Sequence, residues 1–191
     1  AYVFNEENAN MFKPKGELKI NQILDISQPF EIIFEQTLKD RKKDFRRNSI
    51  ENIRVIQETD IRKFIKIQKS NHSFTENLEM KYFQNFLTNK SILNHLIQFS
   101  LKTNEEEILC STLLLRAKNR IILLSSARNK NIETKGSFAF LIFKIIENFA
   151  NKQYIFDFEG SNLKGIQKFN NSFNAEMRQY CLFKSKLLQS F

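Results

Sequence analysis

The stretch that decides the fold runs from residue 108 to residue 158. It reads ILCSTLLLRAKNRIILLSSA over residues 108–127, GSFAFLIFKIIENFAN over 136–151 and YIFDF over 154–158. The first part predicts two apolar strands joined by a tight turn at Lys118 and Asn119, a pair that suits a short hairpin loop. The second part repeats apolar side chains at helical spacing and predicts the clearest helix of the chain. The strand that follows predicts a strand–helix–strand unit with two parallel strands.

The flanking segments predict the remaining elements. Apolar periodicity indicates a helix over 29–47, a helix that begins after Thr59 and a helix that opens at Ser161, while Ser73 and Glu76 form a capping box. Alternating or apolar runs predict strands over 18–26, 53–56, 97–101 and 176–183. The order favours an α/β (α+β) three-layer α-β-α sandwich. Its mixed, mostly antiparallel sheet would carry helices on both faces.

Length and hydropathy indicate one domain. A chain of 191 residues with 41% hydrophobic side chains can bury a core of its own. No run approaches 18 apolar residues, which excludes a transmembrane helix on sequence grounds. Residues 1–28 hold too few apolar side chains for a separate core, so we expect an arm or linker from a preceding domain. The domain itself is expected over 29–191.

Charge and cysteine usage indicate the partner class and the compartment. The formal net charge of +9 favours an anionic partner, which could be nucleic acid, a phosphorylated cofactor or an acidic surface. Cys110 and Cys181 lie in apolar stretches, so we expect buried, unpaired thiols and a reducing, cytoplasmic location. His72 and His95 lack metal-ligand spacing, and no metal is expected.

The element order over residues 50–185 resembles the GNAT acyltransferase fold. A motif near the carboxyl terminus resembles the C-terminal GNAT-like domain of FemAB-type proteins, as does the arginine-rich helix at 29–47. The matching positions of the motif are Phe156, Asp157, Phe158, Glu159, Gly160, Ser161, Gly165, Phe169, Ser172, Phe173, Asn174 and Ala175.

The resemblance implies an N-acyltransferase that moves an acyl or aminoacyl group onto an amine. The implied donor is an acyl-CoA such as acetyl-CoA, or alternatively aminoacyl-tRNA, which would make tRNA a partner. The implied acceptor is a small-molecule or peptide amine. FemAB-type proteins carry two GNAT-like domains in tandem, and this chain would correspond to the second.

Two carboxylates are the candidate catalytic residues. Asp157 and Glu159 follow a strand at the carboxyl edge of the predicted sheet, where ligands of open α/β sheets bind. A carboxylate there could deprotonate an attacking amine, directly or through water. If the strand continued, the two side chains would point the same way. The alternative is structural: Asp157 or Ser161 caps the next helix, and Gly160 allows the turn.

The start of the long helix is the candidate phosphate site. In GNAT enzymes the pyrophosphate of acyl-CoA lies on backbone N–H groups at this turn, where unpaired amides and the helix dipole attract anions. Gly136 fits the first glycine of the family pattern, whereas Glu133 and Phe138 depart from it. The alternative is a helix cap with a solvated basic loop. The predicted cofactor-binding residues are Arg128, Lys130, Lys135, Gly136, Ser137 and Asn162.

Two further features bear on the function. Phe169 stands where many GNAT enzymes carry a tyrosine that protonates the leaving thiolate. Phenylalanine has no hydroxyl group and cannot act as this acid. The basic run from Lys39 to Arg47 could bind phosphate backbones, or be a solvated face with interleaved aspartates. These departures keep a second hypothesis open, a catalytically inert GNAT-like module that contacts a partner protein or nucleic acid.

Overall fold

The computed structural model describes residues 2–4, 17–49, 51–71, 83, 85–132, 134–160 and 162–183. The predictions that concern His72, Ser73, Glu76, Glu133 and Ser161 lie outside these residues. The described strands are β1 (Tyr2–Phe4), β2 (Glu17–Asp25), β3 (Ile53–Glu58), β4 (Leu96–Thr103), β5 (Ile108–Ala117), β6 (Arg120–Arg128), β7 (Ile155–Asp157) and β8 (Glu176–Phe183). The described helices are α1 (Phe30–Gln36), α2 (Lys39–Ser49), α3 (Ile61–Asn71), α4 (Lys90–Leu93), α5 (Ser137–Phe149) and α6 (Lys164–Asn171).

All eight strands form one sheet in the order β1-β8-β2-β7-β6-β5-β4-β3. β6 and β7 pair in parallel. The other neighbours pair antiparallel. The parallel pair flanks α5, as expected for a crossover connection. The β5–β6 hairpin turns at Lys118 and Asn119 as predicted, with Lys118 at φ 51. The mixed, mostly antiparallel sheet is therefore confirmed.

Helices cover both faces of the sheet, which completes the predicted sandwich. Leu114 belongs to the main core, which is dominated by the buried side chains of α5. The adjacent Leu113 belongs to a second, smaller core with Phe64 of α3 and Leu87. Neighbouring strand residues point to opposite faces. The two cores therefore lie on opposite sides of β5.

β2 lies inside the sheet, between β8 and β7. It pairs with β8 from Glu17 to Ile23, and with β7 from Ile23 to Asp25. Residues 17–25 thus share the sheet of the domain that we predicted to begin at residue 29. The physical reason is backbone pairing, because β2 satisfies the N–H and C=O groups on the free edges of both neighbours. The origin of residues 1–28 in a preceding domain stays a prediction.

The single helix predicted over 29–47 is wrong, because the structure has two helices with a break at Thr37 and Leu38. The Thr37 hydroxyl donates to the carbonyl of Phe34 at 2.8 Å, which ends α1. The Leu38 N–H leaves the helix ladder and donates to the Ser172 carbonyl at 3.0 Å. This long-range bond redirects the chain. Apolar spacing cannot reveal it, because the pattern continues across the break.

The two cysteines are buried and unpaired, as predicted. Burial raises the pKa of the Cys110 thiol to about 12. In the described part of the chain no helix is long and apolar enough to cross a membrane.

Candidate functional site

A gap opens between β6 and β7 where their pairing stops. The parallel ladder runs only from Arg120 paired with Ile155 to Ile122 paired with Asp157. Beyond it the chain follows β2 instead, since the Phe158 N–H donates to the Gln22 carbonyl at 3.0 Å. The register between β5 and β6 shifts next to Leu114, and such bulges bend a strand. β6 and β7 are therefore adjacent but diverge at one end.

The gap is the mouth of a cleft of about 760 Å³. Its floor is aromatic: Phe138 and Phe169 stack with ring centroids 5.5 Å apart. The Arg128 guanidinium lies 4.9 Å from the centroid of Phe138, within range of a cation–π contact. The cleft is therefore apolar below and polar at the rim. The residues that line it are Leu123, Leu124, Ser125, Ser126, Arg128, Phe138, Phe158, Glu159, Gly160, Gly165, Ile166, Phe169 and Asn170.

Asp157 is buried at the end of β7, and both of its carboxylate oxygens accept hydrogen bonds. Oδ1 accepts from Asn21 Nδ2 at 2.8 Å and from the Glu159 N–H at 2.9 Å. Oδ2 accepts from Arg120 Nη1 at 2.5 Å in an ion pair. The side chain is not among those that line the cleft. Asp157 does not have the helix-capping role weighed from the sequence, because the N-cap of α6 is Leu163; it holds the backbone of Glu159 instead.

Glu159 is the carboxylate that faces the cleft. The strand ends at Asp157, and Glu159 takes a left-handed backbone conformation with φ 54, so strand alternation no longer applies. This turn separates the two carboxylates that the sequence placed side by side. Burial, and secondarily the charge of Asp157, raises the pKa of Glu159 above its usual range. A carboxylate with a raised pKa is a better proton acceptor near neutral pH.

The free edge of β6 supplies backbone groups to the same cleft. The Asn119 carbonyl accepts from the Ile155 N–H at 2.8 Å, which fixes the β6 positions that face β7. Alternation then places Leu123 on that edge, just beyond the last paired residue. Its N–H completes the ladder by donating to the Asp157 carbonyl, and beyond Leu123 the β7-facing edge of β6 has no strand partner in the described sheet.

The predicted phosphate turn is covered by another helix of the chain. Gly136 adopts φ 80 at the start of α5, and the Asp44 side chain of α2 packs against it. A Cβ atom placed on Gly136 would lie 2.6 Å from Asp44 Cγ. Gly136, which we predicted to contact a phosphate, therefore packs against a carboxylate of the same chain.

The other predicted cofactor residues do not converge on one point. Lys130 and Lys135 are exposed, and the Lys135 carbonyl accepts from Asn48 Nδ2 at 3.2 Å. Ser137 is buried and donates to the Thr134 carbonyl at 3.2 Å. Asn162 Oδ1 accepts from the Ile20 N–H of β2 at 3.1 Å and does not line the cleft. Of the predicted set, Arg128 alone lines the cleft.

Asp44 is the residue of this region that sequence reasoning missed. We interpreted the interleaved aspartates of α2 as evidence for a solvated face, yet Asp44 is 6% exposed. The spacing Arg41, Asp44, Arg47 was the available signal, because residues three apart are neighbours on a helix. Asp40, on the same helix, is exposed as expected.

No family model and no curated protein matches this sequence. Solved structures do match. FemX aligns with a TM-score of 0.65 and 10% identity over 88% of this chain and 62% of FemX. L-PGS from Bacillus licheniformis aligns at 0.57 and 12% over 98% of this chain and 69% of that one. A tandem GNAT protein from the clavulanic acid biosynthesis pathway aligns at 0.55 and 6% over 88% of this chain and 53% of that one.

These similarities establish the fold. The chain has a GNAT-like fold related to that of FemAB-type proteins, as the sequence motif implied. It spans about two thirds of the length of FemX and of L-PGS. At these identities the comparison concerns the architecture only.

Proposed function

We propose that this domain transfers an acyl or aminoacyl group from an activated donor to an amine in the cleft between β6 and β7. One observation carries the proposal: Glu159, with a raised pKa, lies in the same cleft as the free backbone edge of β6. The GNAT-like fold is consistent with this reaction. Acyl transfer needs a base for the amine and a donor for the oxyanion, and Glu159 and the unpaired edge of β6 are the candidates for these two roles.

Glu159 would act as the general base. The amine nitrogen attacks the carbonyl carbon of the donor while the Glu159 carboxylate takes the proton that the nitrogen loses. Asp157 does not touch the substrate in this scheme. It is a positioning residue, because its Oδ1 holds the Glu159 N–H at 2.9 Å and so fixes the turn.

The backbone of β6 would stabilise the tetrahedral intermediate. The carbonyl oxygen becomes an oxyanion as the amine adds, and backbone N–H groups of β6 beyond Leu123, where β7 no longer pairs, would stabilise it. The intermediate then collapses, the bond to the leaving group breaks, and the leaving group takes a proton. Protonated Glu159 or water can supply that proton, since Phe169 has no hydroxyl.

The aromatic floor would hold the apolar part of the substrates. Phe138, Phe158 and Phe169 line the cleft with Ile166, and such surfaces exclude water from the reacting carbonyl. The polar side chains of Ser125, Ser126 and Asn170, which also line the cleft, would then select the acceptor. The expected acceptor is a small-molecule or peptide amine.

Hydroxylamine tests the reaction without knowledge of the acceptor. It is a generic amine nucleophile, and transfer onto it gives a hydroxamate that mass spectrometry detects. We expect the protein to form hydroxamate from acetyl-CoA or from a total aminoacyl-tRNA mixture. The substitution Glu159→Gln should slow this by about 10²–10⁴-fold, the usual contribution of a general base.

The matched control is Glu147→Gln, which changes an exposed carboxylate on α5 that pairs with Lys144. This variant should keep the rate of the parent. Equal rates for the parent and Glu159→Gln would contradict the role of Glu159. A rate of hydroxamate formation equal to the protein-free rate with every donor would contradict the transferase proposal itself.

One observation favours the second hypothesis, a catalytically inert module that contacts a partner protein or nucleic acid. Of the two predicted catalytic carboxylates, Asp157 has both oxygens engaged in contacts within the fold. Hydroxamate formation above the protein-free background separates the two hypotheses, because the inert module would add nothing to that background.

A further inference from the structure

The amino-terminal end of α5 is built against a carboxylate. α2 crosses this end, and its Asp44 side chain is 6% exposed. The contact with Gly136 is so close that any larger residue would need a shift, since an added Cβ would meet Asp44 Oδ1 at 2.6 Å. Gly136, the N-cap, has no side chain to cap α5. The positive end of the helix dipole therefore meets an anion supplied by the chain itself.

Two arginines hold that anion in place. Arg41 Nη2 lies 2.9 Å from Asp44 Oδ2, and Arg47 Nη1 lies 3.5 Å from Oδ1. Asn48 ties the same turn of α2 to the start of α5 through its bond to the Lys135 carbonyl at 3.2 Å. A buried carboxylate with two guanidinium partners and a helix end is an arrangement that also suits a phosphate group.

We infer that Asp44 is a resident anion that fills the phosphate position of this fold. The residues at the turn therefore do not fit the pyrophosphate of an acyl-CoA, because its charge and volume would meet the Asp44 carboxylate. Under the proposed function, on which this part rests, the activated acyl group reaches the cleft from a donor that is not anchored at α5. The occupancy of the turn by Asp44 stands independently of any catalysis.

The turn adjoins the floor of the cleft. The Arg41 guanidinium lies 5.6 Å from the ring centroid of Phe169, and Phe169 stacks on Phe138. Asp44 thus pairs with Arg41, a cation next to the aromatic floor, and also with Arg47. Removal of its charge would leave Arg41 and Arg47 without their carboxylate at the start of α5, where an anion could take its place.

The test is chemical rescue by pyrophosphate, with no turnover involved. Asp44→Ser removes the charge and opens space, and we expect a lower melting temperature than that of the parent. Sodium pyrophosphate should raise the melting temperature of this variant more than sodium chloride does at equal ionic strength. The parent should respond equally to both salts. Calorimetry should show coenzyme A binding at least about tenfold tighter to the variant than to the parent.

Asp40→Ser is the matched control, because it makes the same change at an exposed position of the same helix. It should behave as the parent does in both measurements. An Asp44→Ser variant that folds but shows no added response to pyrophosphate would overturn the inference.

A titration of the parent keeps the inference testable if Asp44→Ser does not fold. If coenzyme A bound saturably to the parent and Lys135→Glu weakened this binding, the phosphates would lie on the turn. That result would overturn the inference. Absence of such binding is the expected result. Neither result depends on hydroxamate formation, so failure here and failure of the proposed reaction are distinguishable.

Discussion

Glu159 has a position that lowers the stability of the fold and suits the proposed role of a general base. Its side chain lies in the cleft beside the negative charge of Asp157, and its backbone has a positive φ although it is not glycine. Each of these features costs free energy in the folded state. Residues that are held in such positions by their neighbours occur often at functional sites.

The pH dependence of stability should expose this cost. The raised pKa means that the folded protein holds the Glu159 proton more tightly than the unfolded chain does. The contribution of this carboxyl group to stability is therefore complete below its ordinary pKa of 4.5 and is lost as pH rises through the raised value. We expect Glu159→Gln to melt at or above the parent temperature at pH 7.5, with no difference near pH 4. Thermal unfolding across that range measures it. A variant that melts lower at pH 7.5 would assign Glu159 a structural role.

Gly136 should be intolerant of any side chain. Alanine there would force a left-handed conformation and a Cβ contact at 2.6 Å with Asp44. We expect Gly136→Ala to lower the free energy of unfolding by roughly 2–4 kcal/mol, from backbone strain and overpacking together. Urea denaturation measures this loss.

Gly165 provides the matched control for that substitution. It lies within α6, and a Cβ there would meet nothing within 4 Å. Gly165→Ala should therefore raise the free energy of unfolding by about 0.5–1 kcal/mol, the helix-propensity difference. Equal effects of the two substitutions would contradict the close contact at Gly136.

At the scale of elements, Asp157 connects three strands. Its carboxylate joins β7 to Asn21 of β2 and to Arg120 of β6, on either side. Because β7 has only three residues, these side-chain bonds supplement a short ladder. They also fix the point where β7 leaves β6, and so the position of the cleft.

Asp157→Asn should weaken this connection. An amide offers one acceptor atom where the carboxylate offers two, so at least one partner loses its bond. We expect a loss of about 1–3 kcal/mol in the free energy of unfolding, together with slower hydroxamate formation through misplacement of Glu159. The control is Asp60→Asn, which changes an exposed ion pair with Arg62 and should leave the unfolding midpoint unchanged. An Asp157→Asn midpoint equal to that of the parent would contradict the connecting role.

At the scale of the whole molecule, the two thiols report on cooperative unfolding. Cys110 lies in the main core on β5, and Cys181 lies on β8 near the opposite edge of the sheet. Both are buried, and the pKa of Cys110 is about 12, so little thiolate is available at pH 8. We expect alkylation by iodoacetamide to be slow for both in native buffer and to rise together with urea. Rapid native labelling of one thiol alone would show that the two halves of the sheet open separately.

Local patterns were sufficient for most of the elements. The hairpin turn at Lys118 and the apolar face of α5 follow from steric preference and helical spacing, which act over a few residues. The strand at 176–183 was predicted at its observed limits. The split between α1 and α2 could not be predicted, because it depends on a bond from Leu38 to Ser172, far along the chain.

The sequence by itself determined the class of the fold, the burial of both cysteines and the edge of the sheet where the carboxylates lie. Those properties depend on hydrophobic periodicity, which each segment carries on its own. Only the tertiary structure decided which carboxylate faces the cleft and which anion occupies the start of α5. The positive φ of Glu159 breaks the strand alternation that would have pointed its side chain the same way as that of Asp157. Asp44 is distant from Gly136 in sequence. Their roles depend on hydrogen bonds and close contacts between strands and helices that meet only when the sheet has assembled.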